Sequence, residues 1–373
     1  MKTVEVSHMY MSKKKIPTVL DYIHDQPRAL HETFLRKEEF LVAFDKAFKG
    51  NRVRKIHLFG SGTSYNVSVI AAYYFKHIAG IDAQANYPTV FINYEKPDWT
   101  GLLSSKEILY IGISQSGTSI STVSMMEVGK KNRYRTVALT EDLESEITRH
   151  VDSVIPLLCG KELNPPETRG FTVAVLQMYL IAWRAALLNG NKTMVEYNDA
   201  MNDAEKLVAN FDLAISEAEY WYDRNATTLV SSERLCILGY GVNYGSALEG
   251  QLKIGEMLRI PSIGYELEEF SHGPTMAITG KQTILLFGSD EPEWERCKVF
   301  RDAFKKYTPR VHLITYKKIE SDYRDCIFSL QTTKYLAPIL YTLPIQFTAA
   351  KGALDTNIDT AIDPFKIPLA HMQ

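Results

Sequence analysis

Short apolar runs alternate with longer segments of helical spacing along this chain. "KIHLFG" is a compact apolar run closed by glycine, and "SYNVSVIAAYYFKHIAG" behind it places its apolar residues at helical intervals. "EILYIGIS" followed by "ISTVSMMEVGKKN" repeats the pattern, then come "RTVALT", "SVIPLL" and the long helical stretch "TVAVLQMYLIAWRAALLNG". Alternation of this kind predicts a parallel sheet with helices on both faces.

A second round begins with "LCILGYGVNYGSALEGQLKIGEML", again strand, glycine turn and helix. "KQTILLFGSD", "ERCKVFRDAFKKY", "RVHLITY" and "APILYTLPIQFTAAKGAL" continue it. "FGSGTSY" and "LGYGVNY" match at an offset of 179 residues (Gly60 to Gly239), and "RTVALT" and "RVHLIT" at 175 (Arg135 to Arg310). Two matches at nearly one offset predict an internal duplication, so each half is one doubly wound α/β unit. The expected division is a helical segment at 1–48, a first unit at 49–190, a helical connection at 191–225, a second unit at 226–355 and a tail at 356–373. "YLAPILYTLPIQFTAAKGAL" carries Pro338, Pro344 and Lys351, so it reads as a buried helix rather than a membrane span.

The halves differ at one junction. "GISQSGTSIST" (Gly112–Thr122) leaves a strand and enters a helix, and it carries no charge. Its counterpart, "LFGSDEP", has two acids and a proline where the first half has hydroxyls. At such a junction the helix offers unpaired N–H groups and the positive end of its dipole, which suit an anion. Ser114, Ser116, Thr118 and Ser119 add hydroxyls, Gln115 adds an amide, and Gly117 permits close approach. The competing reading is a helix cap with surplus serines. "GSGTSY" (Gly60–Tyr65) is a similar junction. Its Ser61, Gly62, Thr63 and Ser64 are candidate contacts to a sugar hydroxyl or a phosphate. It lacks the third glycine of a dinucleotide fingerprint, and no GKS or GKT is present.

Composition narrows the classes. The 373 residues are 45% apolar and 23% charged with a net charge of −2, which leaves no basic footprint for nucleic acid or a membrane surface. The four cysteines are scattered without a metal-ligand spacing, so reduced thiols, no metal and no cofactor are expected in a cytoplasmic protein. The N-terminal lysines have no apolar run behind them, so no signal peptide is expected.

"GSGTSY", "SQSGTS" and "LEGQLKIGE…EEFSHGP", in that order, resemble the sugar isomerase (SIS) family from about residue 49 onward. More closely, the chain is similar to the isomerase half of glucosamine-6-phosphate synthase and to sugar-amine 6-phosphate deglycases. The resemblance implies two SIS domains, each a five-stranded parallel sheet between helices. It implies that Ser114, Gln115, Ser116, Ser119 and Thr63 hold a sugar phosphate and that Ser64 touches the sugar. "ETRGFT" (Glu167–Thr172) falls where the family has a glutamate-led loop ending in Ser-Thr-Lys; Glu167 and Thr172 are the comparable positions, and Gly170 and Thr172 are the candidate contacts carried over.

Glu249, Lys253 and Glu256 are spaced i, i+4, i+7 on one helix face. A solvated salt-bridge stripe has this spacing. The helix also follows a glycine turn, so its start should lie at the carboxyl edge of the sheet, where ligands bind. The resemblance implies that Glu256 is the base that moves a proton between C1 and C2, with Lys253 beside it. It implies that His272 opens the sugar ring from a neighbouring subunit, making a homodimer, and that Lys366 in the tail meets the ketose carbonyl. About 48 residues precede the first strand, too few for a glutaminase domain, so a separate ammonia or amine source is expected. Three activities stay open: phosphosugar isomerisation with or without amine transfer, deglycation of a sugar-amine 6-phosphate, and non-catalytic sensing of a sugar phosphate.

Overall fold

The computed structural model describes residues 16–50, 53–290, 292–362 and 364. The expected pair of α/β units is present as two five-stranded, all-parallel sheets. The first is built from β1 (Lys55–Phe59), β2 (Asp82–Asn86), β3 (Ile108–Ile113), β4 (Arg135–Thr140) and β5 (Ser153–Pro156), in the order β2-β1-β3-β4-β5. The second comprises β6 (Arg234–Gly239), β7 (Ser262–Glu266), β8 (Gln282–Gly288), β9 (Val311–Thr315) and β10 (Cys326–Ile327), in the order β10-β9-β8-β6-β7. Counted from its own first strand, each sheet has the same order, so the duplication extends to the topology.

The strands evident as apolar runs are the central ones. β1, β3 and β8 are buried along their whole length, as expected when helices cover both faces. β2 ("DAQAN"), β7 ("SIGYE") and the two-residue β10 are edge strands with partly exposed residues, and no apolar run announces them.

The equivalent first helices of the two halves, Thr63–His77 and Asn243–Lys253, pack against each other. Gly245 makes this possible: a Cβ there would lie 2.5 Å from Ile70 Cγ1 and 2.9 Å from the Asn66 carbonyl. Three helices, Val19–His24, Gln26–Leu35 and Lys37–Phe48, bury Phe40, Leu41, Phe44 and Phe48 in the core shared with the first sheet. The helices Met194–Ala209 and Phe211–Val230 fall between the halves. Ala337–Asp355 is almost wholly buried, with Pro338 at its start and Pro344 inside it. Arg169–Leu188 is long and apolar enough to cross a membrane, but 78% of its apolar window is buried inside the protein, as befits a core helix.

Candidate active site

In each sheet the first and third strands are neighbours, and the chain crosses over in opposite directions from them. Loops at their carboxyl ends therefore meet at a topological switch point, the usual ligand crevice of an open α/β sheet. In the first sheet these are the loops after β1 and β3, the two anion-binding candidates. Ser121 joins them, its hydroxyl 3.1 Å from Ser61 Oγ and 3.5 Å from Ser119 Oγ. Ser121 was not singled out in the sequence, where it was one more serine among many.

The loop after β3 is shaped by Gly117, which has φ of +66° and packs so closely on Ser145 that a Cβ would fall 1.8 Å from its Oγ. The loop backbone is fixed from beneath, with Ser114 N–H donating to Leu139 and Glu141 N–H to the Gln115 carbonyl. Ser119 occupies the cap position of the helix Ile120–Lys131, yet its side chain makes no capping bond. The loop hydroxyls bond instead to one another, as between Ser116 and Thr118 at 2.9 Å. Ser116 and Thr118 are exposed and Ser119 half-buried, so they remain open to a ligand, whereas Ser114 is buried. After β1, Gly62 has φ of +57°, Ser61 and Gly62 are exposed, and Ser64 is half-buried.

The other candidates divide. Thr63 is buried and its hydroxyl donates to Glu249 at 3.2 Å, so it braces the site rather than offering a free donor. Thr172 is fully buried within a helix, and its hydroxyl donates to the Thr168 carbonyl. Gly170 is also buried, and its N–H donates to Glu162 at 2.8 Å. Gln115 lies across that glycine; a Cβ there would sit 1.6 Å from Gln115 Oε1, so the amide end of Gln115 would have to move. Glu162, which no sequence pattern marked, accepts from Gln115, Thr168, Arg169 and Gly170, and so occupies the start of the helix Arg169–Leu188 itself.

Glu249, Lys253 and Glu256 are not a solvated stripe. Glu249 and Lys253 have side chains only 1% exposed, while Glu256 is 34% exposed. Lys253 Nζ lies 2.6 Å from Glu256 Oε2 and 3.7 Å from Glu249 Oε1. Glu249 in turn accepts from Thr63 and, at 2.8 Å, from Asn66. A chain of polar contacts thus runs from the first-half junction through Thr63, Glu249 and Lys253 to Glu256. Burial pushes the Glu249 carboxyl up, against the pull of Lys253, Asn66 and Thr63. Burial opposes the charge on Lys253, but Glu249 and Glu256 outweigh it and hold its ammonium well above the ordinary lysine range. Glu256 sits on a π-helical turn, Ile254–Leu258, that ends at Arg259 in the left-handed region (φ +58°). Such turns reset which way side chains face and recur at functional sites.

A small cavity of about 10 Å³ is lined by Thr63, Ser64, Gln115, Glu167 and Gly170 together with apolar side chains such as Val67 and Phe171. Burial raises the Glu167 carboxyl to about 7; Lys253 lowers it, and Glu162, Glu249 and Glu256 raise it further. His272 is exposed on short turns after β7, and among the described residues its ring has no hydrogen-bond partner. No hydrogen bond or ion pair joins it to Glu256 among the described residues. Arg259 holds the carbonyls of Asp359 and Ile362, so the tail starts beside the Glu256 turn. Lys366 lies outside the described residues.

The SIS domain model matches residues 51–188 and 228–352, one segment for each sheet. The chain is 24% identical over 356 residues to the glutamine–fructose-6-phosphate aminotransferase (isomerizing) of Caldanaerobacter subterraneus, covering 90% of this chain and 56% of that protein. It therefore spans about half the length of the curated relatives it matches. A candidate phosphosugar isomerase from Clostridium difficile 630 superposes with a TM-score of 0.83 at 24% identity, over 94% of this chain and 96% of that one. The C-terminal domain of glucosamine-fructose-6-phosphate aminotransferase from Francisella tularensis does so with 0.81 at 19%, over 93% and 98%. With both halves matched and the duplicated topology in place, the chain belongs to the SIS domain family.

Proposed function

We propose that this chain is an enzyme that moves a proton between C1 and C2 of a 6-phosphorylated ketose or amino sugar. The observation that carries the reading is the partly exposed Glu256 carboxylate, held by a buried lysine that is tied through Glu249 to the hydroxyl-lined junction. In this reading Ser61, Ser64, Ser116, Thr118 and Ser119 take the phosphate and sugar hydroxyls, aided by the helix start behind them. Glu256 takes the proton from one carbon and returns it to the next, over one face of the enediol or enolamine. Lys253 stabilises the charge that develops on the adjoining oxygen. His272, exposed and without a hydrogen-bond partner among the described residues, suits a residue that serves a neighbouring subunit of a homodimer. The similarity to isomerizing aminotransferases supports this chemistry.

The test is turnover of fructose 6-phosphate, with and without ammonia, and of fructoselysine 6-phosphate. Conversion of at least one is expected. Tight phosphosugar binding with no conversion of any would make the protein a sensor and refute the enzyme reading.

A further inference from the structure

The helices Val19–His24 and Gln26–Leu35 precede the segments that match the SIS model, the first of which begins at residue 51. They nevertheless grip the loop in front of the helix Arg169–Leu188. Asp25, at the joint between the two helices, accepts from Arg169 Nη1 at 2.5 Å, and the Arg169 guanidinium lies over the Tyr22 ring, 4.8 Å from its centroid. The Tyr22 hydroxyl accepts from the Leu163 N–H at 2.9 Å. Arg169 Nη2 also donates to the Lys161 carbonyl at 2.9 Å, so one buried guanidinium closes the loop from residue 161 to 169 onto the N-terminal helices.

Glu162 lies within that closed loop. Its Oε2 accepts from the Gly170 N–H at 2.8 Å and from Gln115 Nε2 at 3.3 Å. Among the described residues Glu162 is the one hydrogen-bond partner of the Gln115 side chain. A carboxylate only accepts, so it sets which end of the amide turns towards it, and the second N–H of Nε2 is left for a ligand. Gln115 is half-buried beside the hydroxyls of the loop after β3. A chain of contacts therefore runs from the N-terminal helices through Arg169 and Glu162 to that loop.

Resting on the proposed function, we propose that Asp25, Tyr22 and Glu162 are positioning residues that hold the Gln115 amide for the phosphosugar, so that the N-terminal helix pair belongs to the binding site as well as to the core. The ion pair of Arg184 with Asp45 supplies the contrast. It ties the helix Lys37–Phe48 to the same helix Arg169–Leu188, with Arg184 Nε 2.9 Å from Asp45 Oδ1, but nearer that helix's C-terminal end and away from Gln115. Releasing Gln115 removes the equivalent of about one hydrogen bond to the ligand, or roughly three- to tenfold in affinity.

Calorimetric titration with fructose 6-phosphate and with glucosamine 6-phosphate, beside thermal melts, tests this on wild type, Asp25→Asn, Tyr22→Phe, Asp45→Asn and Gln115→Ala. Tyr22→Phe leaves the pairs of Asp25 with Arg28 and Arg169 in place, so it reads the same chain through a milder change. Gln115→Ala, Asp25→Asn and Tyr22→Phe should each weaken binding of whichever phosphosugar the wild type holds by about three- to tenfold. Asp45→Asn should lower the melting temperature while binding within about twofold of wild type. Added to Gln115→Ala, neither Asp25→Asn nor Tyr22→Phe should weaken binding further, because the group they position is gone. Variants at Asp25 and Tyr22 that melt lower but bind like wild type overturn the proposal. So does a Gln115→Ala variant that binds normally, or an effect of Asp25→Asn and Tyr22→Phe that persists undiminished without Gln115. If wild type binds neither phosphosugar, the proposed function fails and this inference fails with it.

Discussion

Among individual residues, Lys253 has the most demanding environment. Its ammonium is fully buried between Glu249 and Glu256, and Glu249 is equally buried. Lys253→Met should cost about 3–5 kcal/mol, because it strands a buried carboxylate. Adding Glu249→Gln to Lys253→Met should recover much of that loss in a denaturant titration. A double variant no more stable than the single one would show that the pair is not what matters. Glu167 carries the opposite sign. Its folded value of about 7 lies above its ordinary 4.5, so the folded state binds more protons than the unfolded chain between those limits. Stability from this group is intact below about pH 4.5 and is lost as the pH rises through 7. Glu167→Gln should therefore be more stable than wild type at pH 8, by up to about 2 kcal/mol, and equal to it near pH 4. The reverse order would mean that the carboxylate is stabilised by a partner. Neither effect was legible in the sequence. The i, i+4, i+7 spacing gave Glu249, Lys253 and Glu256 a shared face, but not that this face turns inward onto the other half. Glu167 stands in "ETRGFT", and nothing in that string shows that it lines a cavity with Thr63 and Gln115.

Among the elements, the two junctions were the most legible. Each follows a fully buried strand and carries glycine where the backbone turns, and the hydroxyls of the loop after β3 stand out against the acids of its counterpart. The strands β2, β7 and β10 were not legible, because an edge strand half open to solvent needs no continuous apolar run. The π-helical turn under Glu256 was not legible either, since "IGEML" reads as ordinary helix. Gly117 and Gly101 separate the conformational from the packing part of the loop's requirement. Both have positive φ, but a Cβ at Gly101 meets nothing within 4 Å, whereas at Gly117 it strikes Ser145. Gly117→Ala should cost about 1–3 kcal/mol more than Gly101→Ala and weaken phosphosugar binding, which Gly101→Ala should leave alone. Equal costs by thermal denaturation would mean that Ser145 yields without consequence.

For the whole molecule, the duplication brings the hydroxyl junction of one half against the acid and lysine helix of the other. Identical strand orders place equivalent first helices back to back, with Gly245 allowing the close approach. Glu249 then reaches from the second half to Thr63 and Asn66 of the first, so one chain of polar contacts links the hydroxyl junction to Glu256. Most of the fold could be read from the alternating pattern and the repeat, whereas this contact between halves could not, because no local pattern encodes it. The central claim is that Glu256 does the chemistry and the first-half loops do the holding. It is tested most directly by measuring Glu256→Gln on whichever phosphosugar the wild type converts, for both turnover and dissociation constant. The account predicts turnover reduced by about a thousandfold or more, with the dissociation constant within a few-fold of wild type. Turnover that survives the substitution, or that falls only in proportion to lost binding, would contradict it.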